Sequence, residues 1–61
     1  MTQEEAFALA RQGIKITHTY FTDEEYLTIQ GNLITFEDGV KILIEDWTKG
    51  KDYLLTGWSK Y

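Results

Sequence analysis

The sequence predicts an α+β fold in which an N-terminal amphipathic helix packs on a strongly twisted antiparallel sheet of four to five strands, ordered as a helix followed by a β-meander. Three observations predict this fold. A capping-box pattern and helical spacing of apolar residues open the chain. Apolar residues then alternate with polar ones, and turn signals containing glycine separate the alternating runs. Residues 1–61 are predicted to form a single small domain.

The helix is predicted over residues 3–12. Thr2 and Glu5 have the capping-box spacing, in which the hydroxyl caps an early backbone N–H and the carboxylate reaches back. Gly13 is expected to end the helix, because glycine adopts the left-handed conformation without a Cβ penalty. The apolar residues between these signals predict one buried stripe, formed by Ala6, Phe7, Leu9 and Ala10.

The spacing then switches to a period of two, which predicts strands. Residues 22–25 repeat the capping-box pattern and predict a turn or a single helical turn. Residues 26–30 and 33–36 predict a hairpin, because Gly31 followed by Asn32 suits a type II′ turn. The inner face of the strand before them is predicted to hold Ile14, Ile16, His18 and Tyr20.

The second half of the chain predicts two more strands. Residues 37–39 are a second hairpin signal, and the alternation over residues 40–44 predicts the strand that follows. Residues 45–50 predict one helical turn or a loop. A last strand is predicted over residues 52–56, and Gly57 then interrupts it, which is typical of a bulge or of a close backbone approach. Residues 58–61 either continue this strand or only close the chain.

Chain length predicts self-association. For 61 residues, the free energy gained by apolar burial and the conformational entropy lost on folding nearly cancel. Small chains offset this with disulfides, metals or oligomerisation, and this sequence has no cysteine and a single histidine. We therefore expect a homodimer or a higher homo-oligomer.

Charge and hydropathy argue against two classes of partner. The net charge is −4 and the six basic residues are scattered along the sequence, which argues against binding to nucleic acid. No apolar run approaches the roughly 20 residues of a membrane span, so no membrane partner is expected. The absence of cysteine is compatible with a reducing cytoplasm, which is the expected location.

The sequence contains no recognisable catalytic group, and no enzyme activity or cofactor is predicted. His18 is the only side chain that titrates near neutral pH without help. Its functional interpretation is a base or a ligand contact, and the alternative is a half-buried strand residue with a satisfied ring. The acidic runs at residues 23–25, 37–38 and 45–46 have three interpretations: a site for a hard cation, an imitation of DNA phosphates, or solvated loop charges.

Nine aromatic residues in so short a chain predict that some rings contact a partner. Phe7 lies in the helix stripe and Phe36 alternates within a strand, so both are expected in the core. Tyr and Trp are enriched at interfaces. The candidate binding or interface residues are therefore Tyr20, Tyr26, Trp47, Trp58 and Tyr61, together with His18.

Both ends of the chain resemble one family. Residues 5–16 (Glu-Ala-Phe-Ala-Leu-Ala-Arg-Gln-Gly-Ile-Lys-Ile) resemble the opening of small phage proteins of the Thoeris anti-defence family, and residues 52–58 are similar to that family's closing segment. The two stretches cover about a third of the chain. Oligomers of that family trap a nucleotide-derived immune signal in pockets between subunits. Residues 18–21 depart from the family pattern of basic residues and a Trp, so no pocket residue is transferred to this chain.

Three functions follow as hypotheses. The leading one is a phage-encoded, non-enzymatic anti-defence protein that binds and inhibits a bacterial immune or host protein as a homo-oligomer. The second is an oligomeric sponge for a nucleotide-derived immune signal, in which rings stack on a base and Lys15, Lys49 or Lys51 contacts phosphate. The third is a structural or assembly component of a virion.

Overall fold

The computed structural model describes all 61 residues and confirms the predicted α+β fold. A helix is followed by four strands, a second short helix, a 3₁₀ helix and a fifth strand. The elements are α1 (Gln3–Ala10), β1 (Ile16–His18), β2 (Leu27–Gln30), β3 (Leu33–Phe36), β4 (Lys41–Leu43), α2 (Ile44–Thr48), the 3₁₀ helix (Asp52–Leu54) and β5 (Trp58–Lys60).

The five strands form one antiparallel sheet in the order β4-β3-β2-β1-β5. Strands β1 to β4 are the predicted meander. The chain then returns through α2 and the 3₁₀ helix, and β5 pairs with the free side of β1, with His18 opposite Trp58 and Thr17 opposite Ser59. The two edges of the sheet are therefore β4 and β5.

The capping box that starts α1 is present. The Glu5 N–H donates to Thr2 Oγ1 at 3.2 Å, and the Thr2 N–H donates to Glu5 Oε1 at 3.0 Å. The helix ends at Ala10, two residues before the predicted end, and Gly13 follows at φ +86°. Backbone and then hydroxyl hydrogen bonds from Thr2 hold the pKa of the Glu5 carboxyl below its ordinary value of 4.5.

This lowered pKa predicts a small pH dependence of stability. A carboxyl with a lowered pKa in the folded state stabilises the protein above its ordinary pKa, and the contribution is lost as pH falls through the folded-state pKa. The Glu5→Gln variant keeps a capping-box acceptor but has no charge to lose. We expect its melting temperature to lie slightly below that of the unmodified chain at pH 7, and the gap to close as pH falls below 4.5 and through the folded-state pKa of Glu5. Thermal circular dichroism across this range measures the difference; a gap that does not change with pH would contradict the prediction.

Strand β1 is shorter than predicted. Ile14 is not part of the strand, because its N–H donates to Leu9 O at 3.3 Å in the turn that follows α1. At the other end the Tyr20 N–H donates to His18 Nδ1 at 3.0 Å, which turns the chain. The prediction that Tyr20 lies on the inner face of the sheet is therefore wrong, and its side chain is 72% exposed.

The strand predicted over residues 52–56 is also wrong. Local bonds form there instead: the Leu54 N–H donates to Lys51 O at 2.9 Å and the Leu55 N–H donates to Asp52 O at 3.2 Å. These bonds make the 3₁₀ helix, and the last strand begins only after Gly57. Strand β4 ends one residue early for a similar reason, because Ile44 begins α2.

The core lies between α1 and the inner face of the sheet. The accessible surface of the single chain is 4073 Å² for 7.1 kDa, close to the roughly 4,100 Å² of a monomeric protein of this mass. Three tyrosine side chains, Tyr20, Tyr53 and Tyr61, stay exposed, and self-association stays a prediction. The buried apolar residues are Ala6, Phe7, Ala10, Ile16, Leu27, Ile29, Ile34, Leu54 and Trp58.

Candidate functional site

The structure separates the aromatic side chains into two groups on opposite sides of the sheet. On the helix side, seven of the nine and the His18 ring form one network of neighbouring rings. Only Tyr26 and Tyr61 lie on the other side, as a separate pair. The members of the network are Phe7, His18, Tyr20, Phe21, Phe36, Trp47, Tyr53 and Trp58.

Trp58 is a core residue and not an interface residue. Its side chain is 2% exposed, its ring lies 5.5 Å from that of Phe7, and its Nε1–H donates to Leu54 O at 2.6 Å. The sequence placed Trp58 near the end of the chain, where packing is less constrained. Its pairing with His18 places it instead on the inner face of the sheet.

The His18 ring is buried and both its nitrogens make structural hydrogen bonds. The ring accepts the Tyr20 N–H at Nδ1, so the proton resides on Nε2, which donates to Thr56 O at 2.6 Å. The ring therefore joins the end of β1 to the segment that leads into β5. Of the two sequence-based interpretations, the satisfied strand residue agrees with this geometry, and His18 is removed from the candidate contacts.

Trp47 and Tyr20 differ in exposure. Trp47 is half-buried on α2, with the Phe36 ring 5.6 Å away and Lys51 Nζ 5.3 Å from its ring centre. Tyr20 is exposed and its ring lies 6.0 Å from that of Tyr53, which is 59% exposed. Tyr53 was missed as a candidate because residues 52–56 were predicted to be a strand.

The side of the sheet opposite α1 carries no covering element, because both helices and the 3₁₀ helix pack on the core side. We call this side the open face. It is defined by strand register and by the alternation of buried and exposed residues. Its residues are Lys15, Thr17, Tyr26, Thr28, Gln30, Leu33, Thr35, Lys41, Leu43, Ser59 and Tyr61.

One end of the open face gathers two rings and a cation. The rings of Tyr26 and Tyr61 lie 4.8 Å apart at an angle of 49°. Lys15 Nζ lies 4.6 Å from the centre of the Tyr26 ring, and the Tyr61 N–H donates to Lys15 O at 2.9 Å. The sequence named both tyrosines as candidates, and the structure brings them together with a lysine from a third segment.

The open face is basic although the chain is acidic. All ten acidic residues lie in helices, turns and loops, whereas the strands contain Lys41 and Lys60 and no acid. Lys41 Nζ lies 3.5 Å from Thr35 Oγ1 across the face. The six basic residues are scattered along the sequence, and two of them, Lys15 and Lys41, lie on this face.

Several acidic side chains stabilise turns. Glu25 Oε1 accepts the Thr22 N–H at 2.7 Å, and Asp38 Oδ1 accepts the Val40 N–H at 3.0 Å. These are the bonds that place acidic residues at turns in general. Two of the acidic runs thus have a structural explanation.

The fold and site together define a small α+β domain with one covered face and one open face that carries lysines, hydroxyls and tyrosines. Comparisons with models of protein families, with curated proteins and with solved structures find no match for this chain. None of its helices has the length and apolar character needed to span a membrane.

Proposed function

We propose that this chain is a non-enzymatic binding protein that docks its open face on an anionic surface of another protein. The observation that carries the proposal is the segregation of charge: Lys15 and Lys41 lie on the open face and the ten acids lie elsewhere. Opposite charges across an interface accelerate encounter and fix its orientation. An acidic partner surface is therefore favoured over a basic one.

The tyrosines of the open face supply the rest of the binding free energy. Tyr is among the residues enriched at the energetic centre of interfaces. Tyr26 and Tyr61 already contact each other, and Lys15 lies against the Tyr26 ring. Because these side chains already contact one another, less conformational entropy is lost when a partner covers them.

The resemblance of the two chain ends to phage anti-defence proteins supports a role against bacterial immunity. We propose that the partner is a bacterial immune or host protein, inhibited by contact in the bacterial cytoplasm. A homodimer or higher homo-oligomer is part of this proposal, because the small size of the chain favours self-association.

A nucleotide sponge is a second candidate, favoured by the Lys15, Tyr26 and Tyr61 cluster. A base can stack on a tyrosine ring while the nearby ammonium contacts a phosphate. The single chain encloses no pocket, so a ligand would be held between copies. A rise in melting temperature with increasing cyclic-nucleotide concentration would support this candidate, and no rise with any of a panel would contradict it.

A matched pair of charge reversals tests the leading proposal. Lys15→Glu places an acid on the open face, and Lys49→Glu makes the same change of net charge after α2, on an exposed residue off that face. Each variant is expressed in bacteria that carry one immune system each, and the plating of a phage blocked by that system is counted. We expect the unmodified chain and Lys49→Glu to restore plating, and Lys15→Glu to lose at least about tenfold of the effect.

Two outcomes would contradict the proposal. Restoration by no version of the chain would reject the anti-defence role. Equal activity of the two charge-reversed variants, with equal melting temperatures, would show that the open face is not the surface used. A pull-down with the same variants then compares capture of the partner directly.

A further inference from the structure

We propose that the outer edge of β4 is a second binding surface, which takes an extended segment of a partner chain as an added strand, with basic residues at both ends of that segment. This surface is distinct from the open face, because binding to it uses backbone groups at the border of the sheet. Addition of a strand to an exposed edge is a general mode of peptide recognition.

The hydrogen-bond pattern of β4 leaves backbone groups free. Strand β3 pairs with alternate residues: the Phe36 N–H donates to Val40 O at 2.9 Å, Ile34 lies opposite Ile42, and the segment before β3 accepts the Ile44 N–H at 2.9 Å. In an antiparallel ladder, the residues that alternate with the bonded ones point their N–H and C=O groups away from the neighbouring strand, which here is β3. Those residues are Lys41 and Leu43.

Three of these four outward groups are available to a partner. The carbonyl of Leu43 is at the N-cap of α2, where it accepts the first helical hydrogen bond. The N–H and C=O of Lys41 and the N–H of Leu43 remain. The other edge differs, because the Trp58 N–H and C=O on β5 already bond with Met1, at 3.3 and 2.9 Å.

Charge at both ends of β4 identifies the chemistry of the partner. Glu37 and Asp38 form the turn before the strand, and Glu45 and Asp46 occupy the first turn of α2 after it. All four are exposed. A segment lying along β4 therefore runs between two acidic pairs, so lysine or arginine at each of its ends is favoured.

The same charges argue against a second copy of this chain as the occupant. Antiparallel pairing of two β4 edges brings the 37–38 turn of one copy beside residues 45–46 of the other. Parallel pairing brings each acidic pair beside its own counterpart. Like charges meet in both arrangements, which is a known way in which edge strands avoid self-association.

A synthetic peptide tests the proposal. The probe has two lysines at each end and alternating valine and threonine between them, and its control replaces the lysines with glutamates. In a ¹⁵N NMR titration we expect the lysine-ended peptide to shift the amide signals of Lys41 and Leu43 and to protect them from hydrogen exchange. We expect the control peptide to bind at least about tenfold more weakly, and the difference to shrink as salt is added.

Two substitutions of Lys41 distinguish the contribution of its backbone N–H to peptide binding from that of its side chain. Lys41→Pro removes the outward N–H, which the fold does not use, and proline is tolerated at such edge positions. Lys41→Thr removes the same charge and keeps the N–H. We expect Lys41→Pro to weaken the peptide at least about tenfold relative to Lys41→Thr, and Lys15→Glu to leave binding unchanged.

The titration of the unmodified chain decides the question even if Lys41→Pro does not fold. No shift at Lys41 and Leu43 at millimolar peptide would overturn the proposal. Equal binding of the two peptides would overturn the basic-end requirement. Loss of binding in Lys15→Glu would move the site to the open face.

Discussion

Trp58→Ala is expected to abolish cooperative folding at 25 °C. The indole is 2% exposed and contacts the rings of Phe7, His18, Phe21 and Trp47. Truncation of a buried tryptophan to alanine costs about 3–5 kcal/mol, and the single hydrophobic core of so short a chain supplies no more than about 3–5 kcal/mol of stability. Urea unfolding followed by far-ultraviolet circular dichroism measures the loss.

Trp58→Phe is the matched control, because it keeps an aromatic ring in the core and removes the indole N–H. Loss of that donor removes the 2.6 Å hydrogen bond to Leu54 O, which keeps only the longer 3.4 Å bond from Gln3 Nε2, and this costs about 1 kcal/mol. We expect this variant to fold with a lower midpoint. A Trp58→Ala chain that unfolds cooperatively near the midpoint of the unmodified protein would show that the network does not centre on this ring.

Gly57→Ala is the second substitution for which we expect a large loss in the free energy of unfolding. Gly57 has φ +93°, a conformation that costs an alanine about 1–2 kcal/mol. A Cβ there would also lie 2.9 Å from His18 Nε2 and 3.0 Å from Thr19 Oγ1. The ring cannot withdraw without losing its bond to Thr56 O, so we expect a total loss of about 3 kcal/mol or more.

Gly39→Ala distinguishes the two causes of the stability loss in Gly57→Ala, which are backbone strain and the contact with the His18 ring. Gly39 has a similar φ of +88°, and nothing lies within 4 Å of the Cβ that would be added. Its loss therefore measures backbone strain alone, and the excess loss in Gly57→Ala measures the contact with His18. Chemical unfolding of both variants gives the two values. Equal losses would show that the His18 ring moves aside at no cost.

Trp58→Ala and Gly57→Ala both disturb the same side of the sheet, because the side chains of the core pack on one face of it. Seven of the nine aromatic side chains and all nine buried apolar residues belong to the side that faces α1. Substitutions on the open face are thus expected to leave folding largely intact. This separation is what allows Lys15→Glu to test binding without testing stability.

Much of the fold was predictable because its signals are local. The capping box of Thr2 and Glu5 uses groups three residues apart, and both hairpin turns were located by their glycines. Gly31 has φ +62°, as the first central position of a type II′ turn requires. The close approach predicted at Gly57 is also present, against the His18 ring.

The candidate site was less predictable because it depends on which strands become neighbours. Tyr26, Lys15 and Tyr61 lie far apart in the sequence, and only the return of β5 to β1 joins them. The same return buried Trp58, which had been expected near the surface. Tyr53 was missed because a short apolar run does not distinguish a strand from a 3₁₀ turn.

The sequence by itself determined the helix, the first four strands and their turns. Only the tertiary structure decided the position of β5, the burial of His18 and Trp58, and the grouping of lysines and tyrosines on one face. The physical reason is the range of the interactions. Caps and turns form between residues a few positions apart, whereas strand order is set by long-range pairing and by the burial of one face of the sheet.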